Sequence, residues 1–339
     1  MQCSGIHDIT GEQAHVNRRQ ILLAATALAL TPAGPATAAV PATPRLDLTT
    51  TRPWLHEITL SEARVLQSFA FDNANRRLYT AQLTQGGRTL TGETAPVTGA
   101  ERSRNGDLCV TRLDWTGTVT GRMYLKGFGH GVSIAAEPVG TSTYLWTETD
   151  AVPDSQDNGY GTRIARFRFT DGAVLTTGST QLLRFEPAPG SDHNTVALDP
   201  ANSRIAHRSR TAGVWTYTLH DLATFKAGVF DPLAAITQPT VLTGPVFQGY
   251  ATLGRHLYTL DGTSFGDIHL TATDWNTGAV LDRQLTDAGQ ELFYREPEGM
   301  AIQLPDATSP ARLHFGLASE KSLTETDKKA SFYYTDTTV

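Results

Sequence analysis

The chain has 339 residues and a formal net charge of -6; 18% of its residues are charged and 40% are hydrophobic. It is not basic enough to suggest a nucleic-acid-binding surface, and it is not acidic enough to suggest a disordered chain. No nucleic-acid partner is therefore expected, and the length suits either two domains or one large all-β domain.

The N-terminal segment, residues 1–39, is predicted to be a signal peptide. Arg18 and Arg19 precede an apolar run of ten residues, Ile21 to Leu30, and an A-x-A cleavage pattern follows the run. This order is typical of a secretory leader, and the paired arginines favour the twin-arginine export route. Ten apolar residues cannot cross a hydrocarbon core of about 30 Å. We therefore expect a secreted, extracellular protein with no membrane span and a mature domain at 40–339.

The chain has two cysteines, and Cys3 lies in the segment predicted to be removed. Cys109 then has no partner, so the mature domain is expected to contain no internal disulfide. Cys109 sits in the alternating pattern LCVTRLDW. This pattern indicates a strand residue with a buried, inert thiol rather than a nucleophile.

Short alternating runs of apolar and polar residues follow the leader, and no convincing amphipathic helix accompanies them. They form groups of three or four strands that begin near Gln67, His130, His193, Gln248 and Glu298, at intervals of 63, 63, 55 and 50 residues. Because a period of roughly 40–60 residues is typical of a propeller, we predict an all-β fold with a single five-bladed β-propeller. Six or seven blades remain open, and a β-sandwich is the rival architecture.

Local patterns support repeated blades. The segments FDNANRRLY and LDPANSRIA both place an Asp and an Asn in the turn between two strands, and DWTGTVTGR resembles DWNTGAVLDR. AVLTT is assigned as the fourth strand of the second group. The final group has three clear strands, so WLHEITL (54–60) is expected to supply the fourth and to close the ring, which removes exposed sheet edges.

Polar residues at the blade entrances form the candidate site. The first strand of each propeller blade lines the central channel, so residues entering it lie at the channel rim. From the first to the fifth blade these residues are Gln67; His130; Asp192, His193 and Asn194; Gln248 and Tyr250; and Arg295, Glu296 and Glu298. Burying Glu298 without a partner would be costly, and Arg295 or a bound metal would offset that cost.

Basic clusters lie elsewhere along the chain. Arg163 follows a Gly-rich loop and is a further candidate, whereas Arg166 and Arg168 share one strand face and are expected to be solvated. His207, Arg208 and Arg210 are expected on the surface. The sequence contains no GxGxxG or GxxxxGK[ST] loop, no HExxH or CxxC spacing and no GxSxG elbow. No organic cofactor is therefore expected.

The segments VLQSFAFDNANRRLYTAQL, GFGHGVSI, FQGY and YREPEGMAI resemble a secreted propeller family named after a phage receptor-binding protein and teichoic acid biosynthesis protein C. The resemblance runs from about residue 45 to the C-terminus, and it implies a propeller with an extracellular glycan ligand. The chain is also similar to fungal rhamnose-glucuronate lyases. Those propellers have a histidine-bearing channel and a central cation. This similarity implies a role for His130 and a divalent cation, such as calcium, in the channel.

The leading hypothesis is a polysaccharide lyase that cleaves a uronic-acid-containing glycan by β-elimination. Such an enzyme needs a base near neutral pKa and positive groups that stabilise the charge developing on the carboxylate. The catalytic candidates are His130 or His193 as base, Tyr250 as proton donor to the leaving oxygen and Arg295 as carboxylate partner. The substrate-binding candidates are Gln67, Arg163, Gln248, Glu296 and Glu298.

Two alternatives remain. A non-catalytic propeller would use the same Arg and His residues to bind the phosphate or carboxylate of teichoic acid or another cell-wall glycan. A hydrolase would use Glu296 and Glu298 as an acid/base pair roughly 7 Å apart, a spacing within the inverting range. Both carboxylates would approach from one side, which disfavours inversion. The chain is expected to act as a monomer.

Overall fold

The computed structural model describes residues 39–324 and 327–339, and nearly all of the predicted signal peptide lies outside these residues. Strand β1 (Arg52–Thr59) precedes the first blade along the chain. Blade 1 contains β2 (Leu66–Asp72), β3 (Arg77–Leu83), β4 (Leu108–Asp114) and β5 (Val119–Lys126), with helix α1 (Gly99–Asn105) between β3 and β4. Blade 2 contains β6 (Ala135–Val139), β7 (Ser142–Pro153), β8 (Gly159–Arg168) and β10 (Leu183–Phe185), and β9 (Val174–Thr176) lies between β8 and β10.

The other three blades follow the same plan. Blade 3 contains β11 (His193–Asp199), β12 (Arg204–Thr211), β13 (Val214–Asp221) and β14 (Ala234–Thr237), with helix α2 (Leu222–Lys226) after β13. Blade 4 contains β15 (Phe247–Leu253), β16 (His256–Gly262), β17 (Ile268–Asp274) and β18 (Val280–Leu285), preceded by a 3-10 turn (Thr240–Leu242). Blade 5 contains β19 (Glu296–Gln303), β20 (Arg312–Ser319) and β21 (Lys329–Thr335).

The described strands thus form a five-bladed propeller, as predicted. Consecutive strands within each blade pair antiparallel, and β1 pairs with β21 as the outermost strand of blade 5. The N-terminal strand therefore closes the ring. One assignment is wrong: AVLTT contributes β9, which pairs in parallel with β5 of blade 1, and β10 is the fourth strand of blade 2.

The hydrophobic core lies between the blades. Five clusters of buried side chains each join two neighbouring blades, and the cluster between blades 5 and 1 completes the circle. This arrangement follows from strands that are buried on both faces, because each sheet packs against one neighbour on either side. Cys109 is fully buried, and burial raises the pKa of its thiol, as expected for an inert cysteine.

Repeated turns fix the blades relative to one another. The carboxylate of Asp72 accepts hydrogen bonds from the backbone and side chain of Asn75, and Asp199 does the same for Asn202. Asp199 also accepts a 2.7 Å bond from the backbone of Gly254 in blade 4. The predicted Asp–Asn turns therefore join strands within a blade, and the one at Asp199 also ties blade 3 to the next blade.

The central axis is closed by apolar side chains rather than open along its length. Residues such as Ala70, Ala197 and Ala251 leave an axial cavity of only about 20 Å³. That volume has room for roughly one water molecule and none for a sugar. In the described part of the chain, no helix is both long enough and apolar enough to cross a membrane.

Candidate functional site

Two adjoining cavities open at the end of the propeller where the innermost strands begin. The first has a volume of about 400 Å³ and contains Glu296 and Glu298; we call it the glutamate cavity. The second has a volume of about 250 Å³ and contains Arg208; we call it the arginine cavity. Both are lined by Val132, Tyr160 and Phe247, so they form one continuous depression.

Most of the predicted rim residues meet here. Five of them line the glutamate cavity: Gln67, His130, Gln248, Glu296 and Glu298. His193 lines the arginine cavity together with Asn194. Blades 1, 2, 4 and 5 therefore contribute predicted residues to the first cavity, and blade 3 contributes predicted residues to the second.

β-Bulges direct three of these side chains into the glutamate cavity. The pairing register of the innermost strand shifts between Leu66 and Ser68 in blade 1, between Phe247 and Gly249 in blade 4, and between Pro297 and Met300 in blade 5. The residues at these shifts include Gln67, Gln248 and Glu298. A bulge leaves a residue without a pairing partner in the neighbouring strand and redirects its side chain. This explains why the polar side chains at these shifts point into the cavity.

The GFGHG segment wraps around a buried carboxyl group. Glu148 accepts a 2.8 Å hydrogen bond from the backbone of Gly131 and another from the backbone of Gly161. A Cβ on Gly129 would lie 2.1 Å from the Glu148 carboxyl carbon, so only glycine fits at that position. Burial raises the pKa of Glu148 to about 7, and the backbone donors oppose the shift. Glu148 thus holds the loop that carries His130.

An aromatic stack joins the two predicted histidines. The Tyr160 ring is stacked between His130, at 5.1 Å between ring centroids, and His193, at 4.1 Å. Burial lowers the pKa of His130 to about 4 and also lowers that of His193. His193 Nδ1 lies 3.1 Å from Asp192 Oδ1, and Arg210 binds the same carboxylate. Both imidazoles are therefore neutral near pH 7.

The glutamate cavity contains a carboxyl group without a hydrogen-bond partner among the described residues. Glu298 is 5% exposed. Burial, and then the charge of Glu296, raise the pKa of Glu298 well above its usual value, which favours the protonated form. Glu298 can therefore act as a hydrogen-bond donor to a ligand, a role that an ionised carboxylate cannot fill.

Arg208 was expected on the surface, and that prediction is wrong. The residue is 4% exposed, and its guanidinium carbon lies 3.4 Å from the Trp215 ring centroid and 3.7 Å from that of Phe247. His207 is buried as well, and Arg210 is half-buried against Asp192. Strand β12 is buried on both faces along most of its length, so His207 and Arg208 are buried although their residue types suggest an exposed face.

Tyr250 does not reach either cavity. It is fully buried, and its hydroxyl group donates to the backbone carbonyls of Thr195 at 2.8 Å and Ala206 at 3.2 Å. The bulge at Gln248 breaks the relation by which residues two apart share a strand face. The proposed role of Tyr250 as proton donor is therefore wrong, and Tyr160 is the tyrosine that lines the site.

Arg295 and Arg163 are also placed away from the cavities. Arg295 has a φ of 44°, and its guanidinium donates to the carbonyls of Ala288, Gly266 and Thr286. These bonds make it a support for neighbouring loops. Arg163 is exposed and pairs with Asp150 and Glu186. Neither residue lines the glutamate cavity or the arginine cavity, so the structure does not place them at the candidate site.

Sequence reasoning missed Tyr160, Arg208 and Trp215. Tyr160 stands in a Gly-Tyr-Gly triplet, and those glycines resemble the ones around His130. That pattern could have pointed to a second loop that approaches the rim.

Arg166, which was expected in solvent, is half-buried instead; its guanidinium pairs with Glu137 at 2.7 Å and lies 3.9 Å from the Tyr144 ring.

The donor set for a metal is small. Within 39–324 and 327–339, no group of three or more His, Cys, Asp or Glu side chains is arranged to hold a metal ion. Glu296 and Glu298 supply two carboxyl groups, and Gln67 and Gln248 add amides, whereas calcium takes six to eight oxygen ligands. These side chains alone do not fit calcium, and the expected cation stays a prediction.

Comparisons with known proteins agree with this architecture. A family model described as the phage five-bladed β-propeller receptor-binding platform domain matches residues 65–328. The putative major teichoic acid biosynthesis protein C of Bacillus subtilis (strain 168) is 28% identical over 290 residues, which cover 81% of this chain and 61% of that protein. The chain thus spans less than two thirds of that relative's length.

Two solved structures illustrate the range of structural likeness. The tail fibre of Staphylococcus aureus phage P68 aligns with a TM-score of 0.65 at 16% identity, covering 85% of this chain and 53% of the fibre chain. At that identity the likeness shows the fold alone. A β-fructofuranosidase of Bombyx mori aligns with a TM-score of 0.42 at 10% identity, covering 83% of this chain and 61% of the enzyme, and carries no argument about function.

Proposed function

The chain belongs to the phage five-bladed β-propeller receptor-binding platform family, and we propose that it binds a cell-wall or other extracellular glycan in the glutamate and arginine cavities. The predicted export of the protein would bring it to such a ligand. The proposal concerns recognition first, because a receptor-binding family and a teichoic-acid-related protein are what the chain is similar to.

The observation that carries the proposal is the convergence of unpartnered polar groups. Among the described residues, the side chains of Gln67, Tyr160 and Glu298 make no hydrogen bond, although all three line the glutamate cavity. Buried polar groups in proteins are nearly always bonded to protein or water. Glu298 is buried and Gln67 and Tyr160 are half-buried. These three groups, from blades 1, 2 and 5 around one cavity, match the hydroxyl groups of a polyhydroxylated ligand.

The size and lining of the cavities support a sugar ligand. The two volumes, about 400 and 250 Å³, together fall in the range of roughly 300–1,000 Å³ that small-molecule sites occupy. Phe247, Val132 and Tyr160 supply apolar surface at the junction, and polar groups surround them. A pyranose ring needs this mixture, because its C–H faces are apolar while its edges carry hydroxyl groups.

Binding can be measured directly with the purified domain. Isothermal titration against teichoic acid, uronate-rich polysaccharide and neutral glucan oligosaccharides should give saturable binding to at least one glycan class. The Gln67→Ala variant should bind that glycan more weakly. Glu186→Ala, which removes an exposed carboxylate of blade 2 outside both cavities, is the matched control. Absence of binding to every glycan class would contradict the proposal.

A lyase is the second candidate, and one observation favours it. His193 is oriented by Asp192, is neutral, and lies in the same cavity as Arg208, so a base and a carboxylate partner are close together. His130 is a poor base for the weakly acidic C5 proton, because its pKa is lowered to about 4. Arg295 and Tyr250, which were expected to complete the reaction, lie elsewhere. Recognition therefore ranks above elimination.

The two candidates differ in a simple assay. Incubation with uronate-rich gums should leave the ultraviolet absorbance unchanged if the propeller only binds glycans. A growing absorbance from an unsaturated uronate, lost in His193→Ala, would establish elimination instead. The hydrolase alternative is not proposed, because Glu298 is buried and Glu296 approaches from the same strand.

A further inference from the structure

Arg208 is a buried cation that forms no ion pair with a described carboxylate. It differs in this respect from Arg102, which is fully buried and pairs with both Glu93 and Asp107. Removing an isolated charge from water is expensive, so buried charges are ordinarily paired. The exception lies in the wall of the arginine cavity, where a ligand could provide the missing charge.

Neutral groups hold the Arg208 side chain in place. Trp215 and Phe247 lie on the guanidinium at 3.4 and 3.7 Å from carbon to ring centroid. Nε donates to the Tyr217 hydroxyl at 3.0 Å, and Nη2 donates to Gln238 Oε1 at 3.1 Å. Nη1 has no hydrogen-bond partner among the described residues. The guanidinium is therefore fixed before any ligand arrives, which lowers the ordering cost of binding.

The carboxylates nearest to this cavity are already bonded to other groups. Glu148 accepts backbone N–H groups of Gly131 and Gly161, and Asp154 accepts those of Gln156 and Asn158. Asp192 binds Arg210, a second cation in the lining. Arg208 is thus the cation of this lining that has no described carboxylate partner, and none of these carboxylates is bonded to it.

We propose that Arg208 binds an anionic group of the glycan, either a phosphate or a carboxylate, in the arginine cavity. The inference rests on the proposed function and narrows it to anionic glycans. The free N–H groups of Nη1 donate to the oxyanion, and charge-assisted hydrogen bonds of this kind are about twice as strong as neutral ones. Trp215 and Phe247 keep water from the opposite faces of the guanidinium.

The test compares two arginines that both lie on aromatic rings. Arg208→Gln removes the unpaired guanidinium, whereas Arg166→Gln removes one that is paired with Glu137 outside both cavities. Wild type and both variants are titrated with a glycerol-phosphate oligomer, a glucuronate oligosaccharide and a neutral glucan oligosaccharide. Arg208→Gln should weaken binding of one anionic oligomer roughly 10- to 100-fold, and Arg166→Gln should leave it unchanged. The two anionic oligomers distinguish phosphate from carboxylate.

Each other outcome has a defined meaning. Equal affinity of wild type for the neutral and anionic oligomers, or full affinity in folded Arg208→Gln, would overturn the anion site and leave glycan binding intact. No binding of any oligomer by wild type would overturn the proposed function itself. If Arg208→Gln does not fold, the anion site is tested by tryptophan fluorescence of wild type and Trp215→Phe. The anionic oligomer should change the wild-type signal but not that of Trp215→Phe, and identical responses would overturn the anion site.

Discussion

Gly249 and Gly299, from adjacent blades, approach so closely that a Cβ on Gly249 would lie 2.7 Å from the Gly299 Cα. A Cβ on Gly299 would in turn lie 2.7 Å from the Ser68 Cα of blade 1. The bulges that carry Gln248, Glu298 and Gln67 therefore touch one another in sequence around the axis. The polar floor of the glutamate cavity depends on this contact between three backbones.

Gly299→Ala should destabilise the fold strongly. Gly299 has a φ of +77°, so alanine adds left-handed strain as well as overlap with Ser68. The two effects should lower the free energy of unfolding by about 2–5 kcal/mol in total. Gly172→Ala is the control, because Gly172 has a φ of +74° with nothing within 4 Å of its Cβ, and it should cost only about 1–2 kcal/mol. If urea unfolding shows that Gly299→Ala and Gly172→Ala lose equal free energy of unfolding, the close contact between Gly299 and Ser68 is contradicted.

Phenylalanine substitutions at Tyr160 and Tyr250 should have different effects, one on glycan affinity and the other on the free energy of unfolding. Tyr160→Phe removes a hydroxyl group that has no described partner and lines both cavities, so it should weaken glycan binding roughly 2- to 10-fold without lowering stability. Tyr250→Phe removes a hydroxyl group bonded to two carbonyls, so it should cost about 0.5–1.5 kcal/mol of stability and leave affinity unchanged. Thermal unfolding and titration calorimetry on both variants check the pair. If Tyr250→Phe weakens glycan binding and Tyr160→Phe does not, Tyr250 and not Tyr160 contacts the ligand.

Glu298 should make stability fall as pH rises. Burial and the charge of Glu296 raise its pKa in the folded protein above the unfolded value, so folding favours the protonated form. This contribution is complete below the unfolded pKa of about 4.3 and is lost as pH rises through the folded pKa. Glu298→Gln, which stays neutral, should therefore gain stability relative to wild type as the pH rises above the unfolded pKa of about 4.3. If the melting temperatures of wild type and Glu298→Gln change with pH in parallel, Glu298 is already ionised or paired in the folded protein.

Glu148 should position the His130 loop. Glu148→Gln places an amide N–H₂ group against one of the backbone donors of Gly131 and Gly161, so it should cost about 1–3 kcal/mol and also weaken glycan binding. Glu137→Gln alters another buried glutamate of blade 2, which binds Arg166, Lys226 and Trp146 outside both cavities. It should lower stability without changing affinity. Equal affinities for both variants would deny Glu148 this role.

The sequence predicted the fold well because turn chemistry and strand alternation repeat with each blade. The Asp–Asn turns at Asp72 and Asp199 are local patterns, because their hydrogen bonds join residues close in sequence. The closing strand β1 pairs with the distant β21, and it was predicted because the final group has only three clear strands. AVLTT was placed in the wrong blade because a three-residue strand carries no partner information. Its parallel pairing with β5 is decided by tertiary contacts alone.

The candidate site was predicted only in part, and strand irregularities explain the errors. A regular strand would place Gln248 and Tyr250 on one face, but the bulge between Phe247 and Gly249 separates them. Arg295, in a left-handed conformation just before β19, turns towards the neighbouring loops. Arg208 reads as one of several exposed basic residues, because only the packing of blade 4 against blade 3 places Phe247 over it.

The most direct test of the account is a crystal structure of the domain soaked with the anionic oligomer that binds in solution. We predict density for the sugar in the glutamate cavity beside Tyr160 and Glu298, with its anionic group at Nη1 of Arg208. Density at the other end of the axis, in the cavity lined by Phe71, Leu198 and Leu304, would contradict the proposed site.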